Sequence, residues 1–530
     1  MKLKKALPLI IVFLVCGTIK AEYTINAGAT LNMGAGSSDF APFYLRANKH
    51  GKLTQSKNVQ IDLWAQDTLD MEKRFDFSWG IEALAGYANK TDYMRYDPTI
   101  AEWYGNPQGP AAIWLQQLYG EIKWRCLFLS IGLKDRNSAF VDQELSSGDL
   151  IWSGNSRGIP EIRIGFVDFQ DIPLTKKWLQ FDVALSYGKF IDTNWINNHF
   201  SYWSGKKNPG GFWTYKRASL RTNPEKPFSF QAGIQMTGLF GGITYYYYQG
   251  TETKRFDNYS GFMDFVKILL PFWSDEKEGY RIGDTKGSWD FAARYRFKGG
   301  ESLRAYVQWP WEDSSGIAKK NGFDGLWGLE FKFNKNWWIT GIVAEYLDLT
   351  HMSGPIGFDS NYHNTAENGG TLPGKASGRD GYYNNSYYRA YTNYGLNMGT
   401  PMVAGELFYT GAPLFYINND TKGYIPDSGT IPYFRVRGFH IALEGEIGRN
   451  CSYIVRYNHR KAWGDTGTYT LIHPVESDSF MAAATYSFNK LPGLSLSAAI
   501  GVDKGTYFSN AVGGMLTLTY ERPITFKRGK

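Results

Sequence analysis

Seven histidines are scattered along this 530-residue chain: His50, His199, His351, His363, His440, His459 and His473. None makes a HExxH or another metal-ligating spacing. No GxSxG elbow, Walker A loop or paired CxxC appears either. A hydrolase needs a histidine within reach of a Ser or Asp. Only His440 is a loose candidate, and a lone imidazole without a base-and-orienter set reads better as a satisfied structural residue. No catalytic residue, metal or cofactor is expected. What does recur is aromatic rings beside amides and guanidiniums. One cluster is Trp152 with Asn155 and Arg157. The densest is Tyr382, Tyr383, Asn385, Tyr388 and Arg389, and more rings stand at Trp103-Tyr104 and from Trp195 to Trp203. Flat rings cover the apolar CH faces of sugars, and Asn, Asp and Arg satisfy the hydroxyls. Such rings also serve membrane girdles and loop packing, and for any single ring that plainer role is favoured.

Alternation is what positions these clusters. Eighteen segments read as β-strands: 24–33, 58–67, 74–86, 112–124, 126–133, 161–168, 177–187, 212–222, 227–236, 288–297, 301–311, 324–333, 337–347, 434–447, 452–463, 478–488, 494–503 and 511–520. In the clearest, Leu494, Leu496, Ala498, Ile500 and Val502 alternate with Ser495, Ser497, Ala499, Gly501 and Asp503. Likewise Ile441, Leu443, Gly445 and Ile447 alternate with His440, Ala442, Glu444 and Glu446. One face of each suits lipid and the other a polar lumen. The gaps between strands alternate strictly between short and long. Short ones carry turn residues, as in Lys298-Gly299-Gly300 and Gly448-Arg449-Asn450. A soluble sandwich has no physical reason to put its long loops on every second connection; an outer-membrane barrel does. The fold expected is all-β: a transmembrane antiparallel β-barrel of about eighteen strands with long, partly structured extracellular loops.

Within those loops, Phe262, Phe265, Val266, Leu269 and Leu270 recur at helical spacing before Pro271, which predicts a helix packed on the barrel. Leu239–Tyr248 is strand-like and is expected to extend the ninth strand. The 348–433 gap is long for a bare loop, and a hairpin there involving Met402–Tyr409 would raise the strand count by two.

Composition agrees. Aromatics reach 17% and glycines number 59, as girdles and tight strand contacts require. Mean hydropathy is only −0.37, because a barrel strand shows lipid every second residue. The start, Met1-Lys2-Leu3-Lys4-Lys5, then an apolar run from Ala6 to Val15, reads as a signal peptide cut after Ala21. The rest, 22–530, reads as a single barrel domain. Without the leader, 53 basic residues face 50 acidic ones, so nucleic acid is not an implied partner. Cys126 and Cys451 remain in the mature chain, and nothing in their spacing says that they pair. The predicted lumen carries both signs: Glu121, Lys123, Arg294, Arg296, Arg304, Glu444, Glu446, Arg456 and Asp503. Mixed signs suit an internal salt-bridge network more than a charge-selective pore.

The block Glu144-Leu-Ser-Ser-Gly-Asp-Leu-Ile-Trp-Ser-Gly-Asn-Ser-Arg-Gly-Ile-Pro-Glu-Ile-Arg163, followed by Trp178-Leu-Gln-Phe181, resembles the Wzi capsule-assembly family. Further matches are Phe40-Ala-Pro-Phe-Tyr-Leu45, Gln116-Gln-Leu-Tyr119, Gly325-Leu-Trp-Gly328, Asp380-Gly-Tyr-Tyr-Asn-Asn385 and Gly399-Thr-Pro401. The resemblance implies an outer-membrane barrel of eighteen strands with its loops facing the cell exterior. It implies a non-enzymatic surface lectin that binds capsular or other surface polysaccharide and helps capsule assembly or attachment. The partners expected are that polysaccharide and outer-membrane lipid. The rivals are an oligosaccharide diffusion porin and an outer-membrane hydrolase.

Overall fold

The computed structural model describes residues 22–527, leaving out 259, 270–273, 276–279, 282, 313, 320, 335–337, 353–380, 386, 411–414, 417–422, 425–426, 465–473 and 509. The leader expected at 1–21 lies outside the described residues. Eighteen antiparallel strands form one closed sheet. They are β1 (Glu22–Gly36), β2 (Asn58–Gln66), β3 (Phe75–Ala88), β4 (Ile113–Trp124), β5 (Leu127–Leu133), β6 (Glu161–Phe166), β7 (Leu179–Lys189), β8 (Phe212–Thr222) and β9 (Phe228–Phe240). The circuit continues through β10 (Asp284–Arg296), β11 (Ser302–Trp311), β12 (Gly325–Lys332), β13 (Gly341–Asp348), β14 (Arg435–Ile447), β15 (Cys451–Trp463), β16 (Val475–Ser487), β17 (Leu494–Gly505) and β18 (Ala511–Lys527). A two-residue piece, Gln170–Asp171, continues β6 along the same neighbour, β7. Pairing of β1 with β18, from Glu22 opposite Lys527 to Gly36 opposite Gly513, closes the ring and leaves no free edge. All eighteen expected strands are present, and long and short connections alternate until the last, 506–510, which is only five residues. At the short-turn end Gly448 takes φ 69°, a left-handed conformation that glycine adopts without strain.

The two faces obey the expected alternation. Ile441, Leu496 and Ile500 are exposed on the outer wall, whereas His440, Ala442 and Asp503 are buried within. Ile500→Arg is therefore expected to cost about 2–4 kcal/mol in bilayer folding equilibria if it sits near the midplane, and Ser497→Arg clearly less. Equal losses at both would show that the register is wrong. Ala442, on the same inward face, is different from Ser497. It is fully buried against Leu145 and Val343, so a long side chain has no space.

Three local expectations change. β18 does not stop at Tyr520: Ile524 and Phe526 continue its outward row while Pro523 stands opposite Asn26. Leu239–Tyr248 is not one strand. Gly241 (φ 65°) and Gly242 (φ 74°) break it, and Ile243–Tyr248 joins Gly205–Lys207 and Thr251–Asp257 in a loop sheet. Met402–Tyr409 forms no barrel hairpin; it carries a 3-10 turn, Glu406–Phe408, beside the core. The loops carry short helices, among them α1 (Phe43–Arg46), α2 (Thr193–His199) and α3 (Phe262–Lys267). As expected, α3 packs on the barrel: Phe265 lies 4.9 Å from Phe240 and 5.3 Å from Phe212. Leu270 and Pro271 lie outside the described residues. Cys126 and Cys451 are unpaired.

The core sits inside the barrel. Loop segments 37–57, 134–160 and 381–410 pack Phe43, Tyr44, Leu150, Trp152, Tyr383 and Met402 against inward wall residues such as Trp213, Leu326 and Met481. Polar wall groups clamp these segments. Glu345 accepts from Ser146 Oγ at 2.6 Å and Ser147 N at 2.7 Å, and Asp503 accepts from Phe43 N at 2.8 Å. Most of the predicted lumen charges find partners, including Glu121 with Lys134 at 2.6 Å, Arg304 with Glu330 at 3.4 Å and Arg456 with Glu144 at 3.0 Å. His440 is structural. Nε2–H donates to Leu145 O at 2.7 Å, so Nδ1 accepts from Tyr44 Oη at 2.6 Å.

Candidate functional site

The two ring clusters, more than 220 residues apart in sequence, meet in the lumen. Tyr383 Oη donates to Leu150 O at 2.9 Å, and Tyr391 Oη to Ile151 O at 2.9 Å. Asn155 Nδ2 donates to Asn397 O at 2.9 Å, and its Oδ1 accepts from Asn48 N at 3.2 Å. Trp152 Nε1 donates to Arg136 O at 3.0 Å while its ring rests 5.0 Å from Trp213. Tyr382 Oη donates to Asp324 Oδ2 at 2.7 Å. Burial pushes the Asp324 carboxyl up to about 6. Asn385 Oδ1 caps Tyr387 N and Tyr388 N at 2.7 and 3.0 Å. Arg157, half-buried, donates to Leu115 O at 2.9 Å and covers the Tyr394 ring at 4.4 Å. Arg389 forms a buried fork with Asp192, at 2.9 and 2.7 Å. Trp152, Asn155, Tyr382, Tyr383, Tyr388 and Arg389 are all buried. These residues build a plug, and most of their polar groups bond within the protein; Arg389 Nε is an exception.

Above the plug, at the long-loop end, a shallow cleft opens. Arg389 lies in its floor; its rim comes from residues that the two clusters did not include. The hairpin Thr91–Asp97 and Glu102–Gln108 forms one side, α2 another and the 427–430 turn a third. Trp195 and His199 stand four residues apart on α2, hence on one face, and stack at 4.2 Å with 17° between planes. Tyr93 meets His199 edge-on at 4.6 Å. His199 Nδ1–H donates to Trp195 O at 2.8 Å, which leaves Nε2 as an acceptor. Burial lowers its pKa to about 4, so the ring is neutral at physiological pH. Lys206 is buried in the wall. Among the described residues its Nζ has no hydrogen bond or ion pair. Burial drives its pKa down to about 8 although Asp427 and Glu406 oppose the shift. Beside the cleft, Tyr96, Trp103 and Trp203 gather within 5.6 Å of one another, joining rings that are a hundred residues apart in sequence. The half-exposed Trp195 ring, a neutral imidazole acceptor and an ammonium in a concave site suit polyhydroxylated ligands, including acidic ones, whereas Tyr93 is buried and donates to Leu407 O at 2.7 Å. Spacing held one signal for this site, Trp195 to His199 at i, i+4. Tyr93, Lys206 and Asp427 carried none, because only loop folding brings them together. Among the described residues, no group of His, Cys, Asp and Glu gathers as metal ligands do.

No protein-family model matches the chain, and no curated protein sequence matches it. Solved structures do. Wzi of Escherichia coli, described as an outer-membrane protein involved in group 1 capsule assembly and a carbohydrate-binding β-barrel, superposes with a TM-score of 0.53. The chain has the fold of an outer-membrane β-barrel. The match covers 97% of this chain and 87% of Wzi at 11% identity. Lower scores come from OccAB2 of Acinetobacter baumannii (0.42; 10% identity; 94% and 98% covered) and the outer membrane protein OpdK of Pseudomonas aeruginosa (0.43; 9%; 96% and 99%).

Proposed function

We propose that this chain is a non-enzymatic outer-membrane protein of the Wzi type whose long-loop end faces the cell exterior and binds capsular or other surface polysaccharide. The observation that carries the reading is the cleft of Trp195, His199, Tyr93 and Lys206 above a lumen filled by its own loops. Stacked rings and unpaired polar groups offer a sugar what it needs, and a filled lumen offers little to a diffusing solute. The Wzi fold, described for Wzi itself as carbohydrate-binding, supports the same reading.

Two measurements test it. In planar bilayers the wild type is expected to show no large, stable pore; a steady porin-like conductance would favour diffusion instead. The second is pH. Lys206, with its pKa lowered to about 8, is charged below that pH and neutral above it. Binding of an acidic polysaccharide to the purified protein should weaken several-fold as pH rises from 7 to 9, and Lys206→Met should flatten that slope. An unchanged slope in Lys206→Met would remove the ammonium from the site.

A further inference from the structure

The short-turn end of the barrel has a concavity of its own, lined by Arg221, Arg294, Arg304, Ser229 and Gln231 together with Pro224. On the neighbouring strands β6 and β8, two inward arginines are neutralised. Arg163 pairs with Glu161 at 2.9 Å and Arg217 with Asp182 at 2.5 Å. Here the balance fails. Arg294 stands directly opposite Arg304 across β10 and β11, an arrangement that repels. Arg304 has Glu330 at 3.4 Å. Among the described residues, neither Arg294 nor Arg221 forms an ion pair. Arg294 donates to Pro224 O, and its buried Nε has no partner. Arg221 donates from Nε to Gln180 Oε1 at 2.8 Å and lies over the Phe169 ring at 3.9 Å. Ser229 and Gln231 face these guanidiniums across β9 as neutral donors. Arg304 is held by Glu330 and by Phe140 O at 2.6 Å, and Glu225, Asp168 and Asp182 lie farther off without pairing with Arg294 or Arg221, so these two guanidiniums beside a third form a donor set that an oxyanion satisfies.

We infer that Arg221, Arg294 and Arg304 form an oxyanion-binding site at the short-turn mouth of the lumen, taking a phosphate or a carboxylate. The site is at the opposite end of the barrel from the glycan cleft and does not depend on that reading. Inorganic phosphate and glucuronate serve as the two probes, titrated calorimetrically into full-length protein in detergent. Saturable binding of at least one probe is expected. Phosphate alone marks a free inorganic anion as the occupant; glucuronate marks a sugar acid. Arg294→Gln and Arg221→Gln should each weaken binding at least about tenfold. Heat-modifiable migration on gels reports that the barrels still form; if Arg294→Gln does not fold, Arg221→Gln alone decides. Lys490→Gln, at an exposed turn lysine outside both concavities, should leave the binding unchanged. Absence of saturable binding by either probe overturns the proposal. So does binding that is undiminished in the folded arginine variants or is lost in Lys490→Gln.

Discussion

Replacing Arg389 by alanine is expected to destabilise the folded barrel by about 3–5 kcal/mol. The substitution strands the buried Asp192 carboxylate, which accepts both prongs of the fork and Tyr394 N at 3.0 Å beneath the cleft floor. Burying two charges is costly in itself, so the pair adds less net stability than breaking it removes. The double variant Arg389→Met with Asp192→Leu should therefore recover much of the loss. Urea unfolding of the purified barrel in detergent micelles measures both. An Arg389→Ala protein of normal stability that loses polysaccharide would instead make Arg389 a direct ligand contact.

The second large effect belongs to the cleft. Trp195→Ala removes the ring that stacks on His199 and is expected to lower polysaccharide affinity by about 1–3 kcal/mol, a factor of about five to a hundred. The barrel itself should be little affected, because Trp195 is half-buried on a loop helix and packs on a small loop cluster of Tyr93, Leu396 and Leu407 apart from the main core. His199→Gln keeps a hydrogen-bonding tip but no stacking face, so it should fall between Trp195→Ala and the wild type. Calorimetric affinity and heat-modifiable migration, taken together, separate the loss of a contact from the loss of a fold.

The wall was legible and the plug was not, for one physical reason. A strand's two faces are set by its immediate neighbours, so Leu494 to Val502 announce lipid every second residue. The same rule carries β18 past Tyr520, where Ile524 and Phe526 keep the period beyond Pro523. A loop ring carries no such rule. Tyr383 and Trp195 are both rings in long connections. One is buried against Leu150 and the other lines a cleft, and only folding across more than two hundred residues decides which. Composition therefore pointed to Tyr382–Arg389 as a ligand surface, although the cluster's hydroxyls and guanidinium bond to Asp324, Leu150 and Asp192. The Ser153-Gly154-Asn155 turn reads more truly as a lock. Ser153 Oγ donates to Gly399 O at 2.7 Å and Asn155 to Asn397 O, fastening one loop to the other.

The most direct test of the account is a titration of purified wild-type protein with the surface polysaccharide of its own host cell. Saturable binding that is at least several-fold weaker in folded Trp195→Ala is the predicted result. No binding by a folded, heat-modifiable wild type, or undiminished binding in the variant, would contradict a glycan site at the long-loop end.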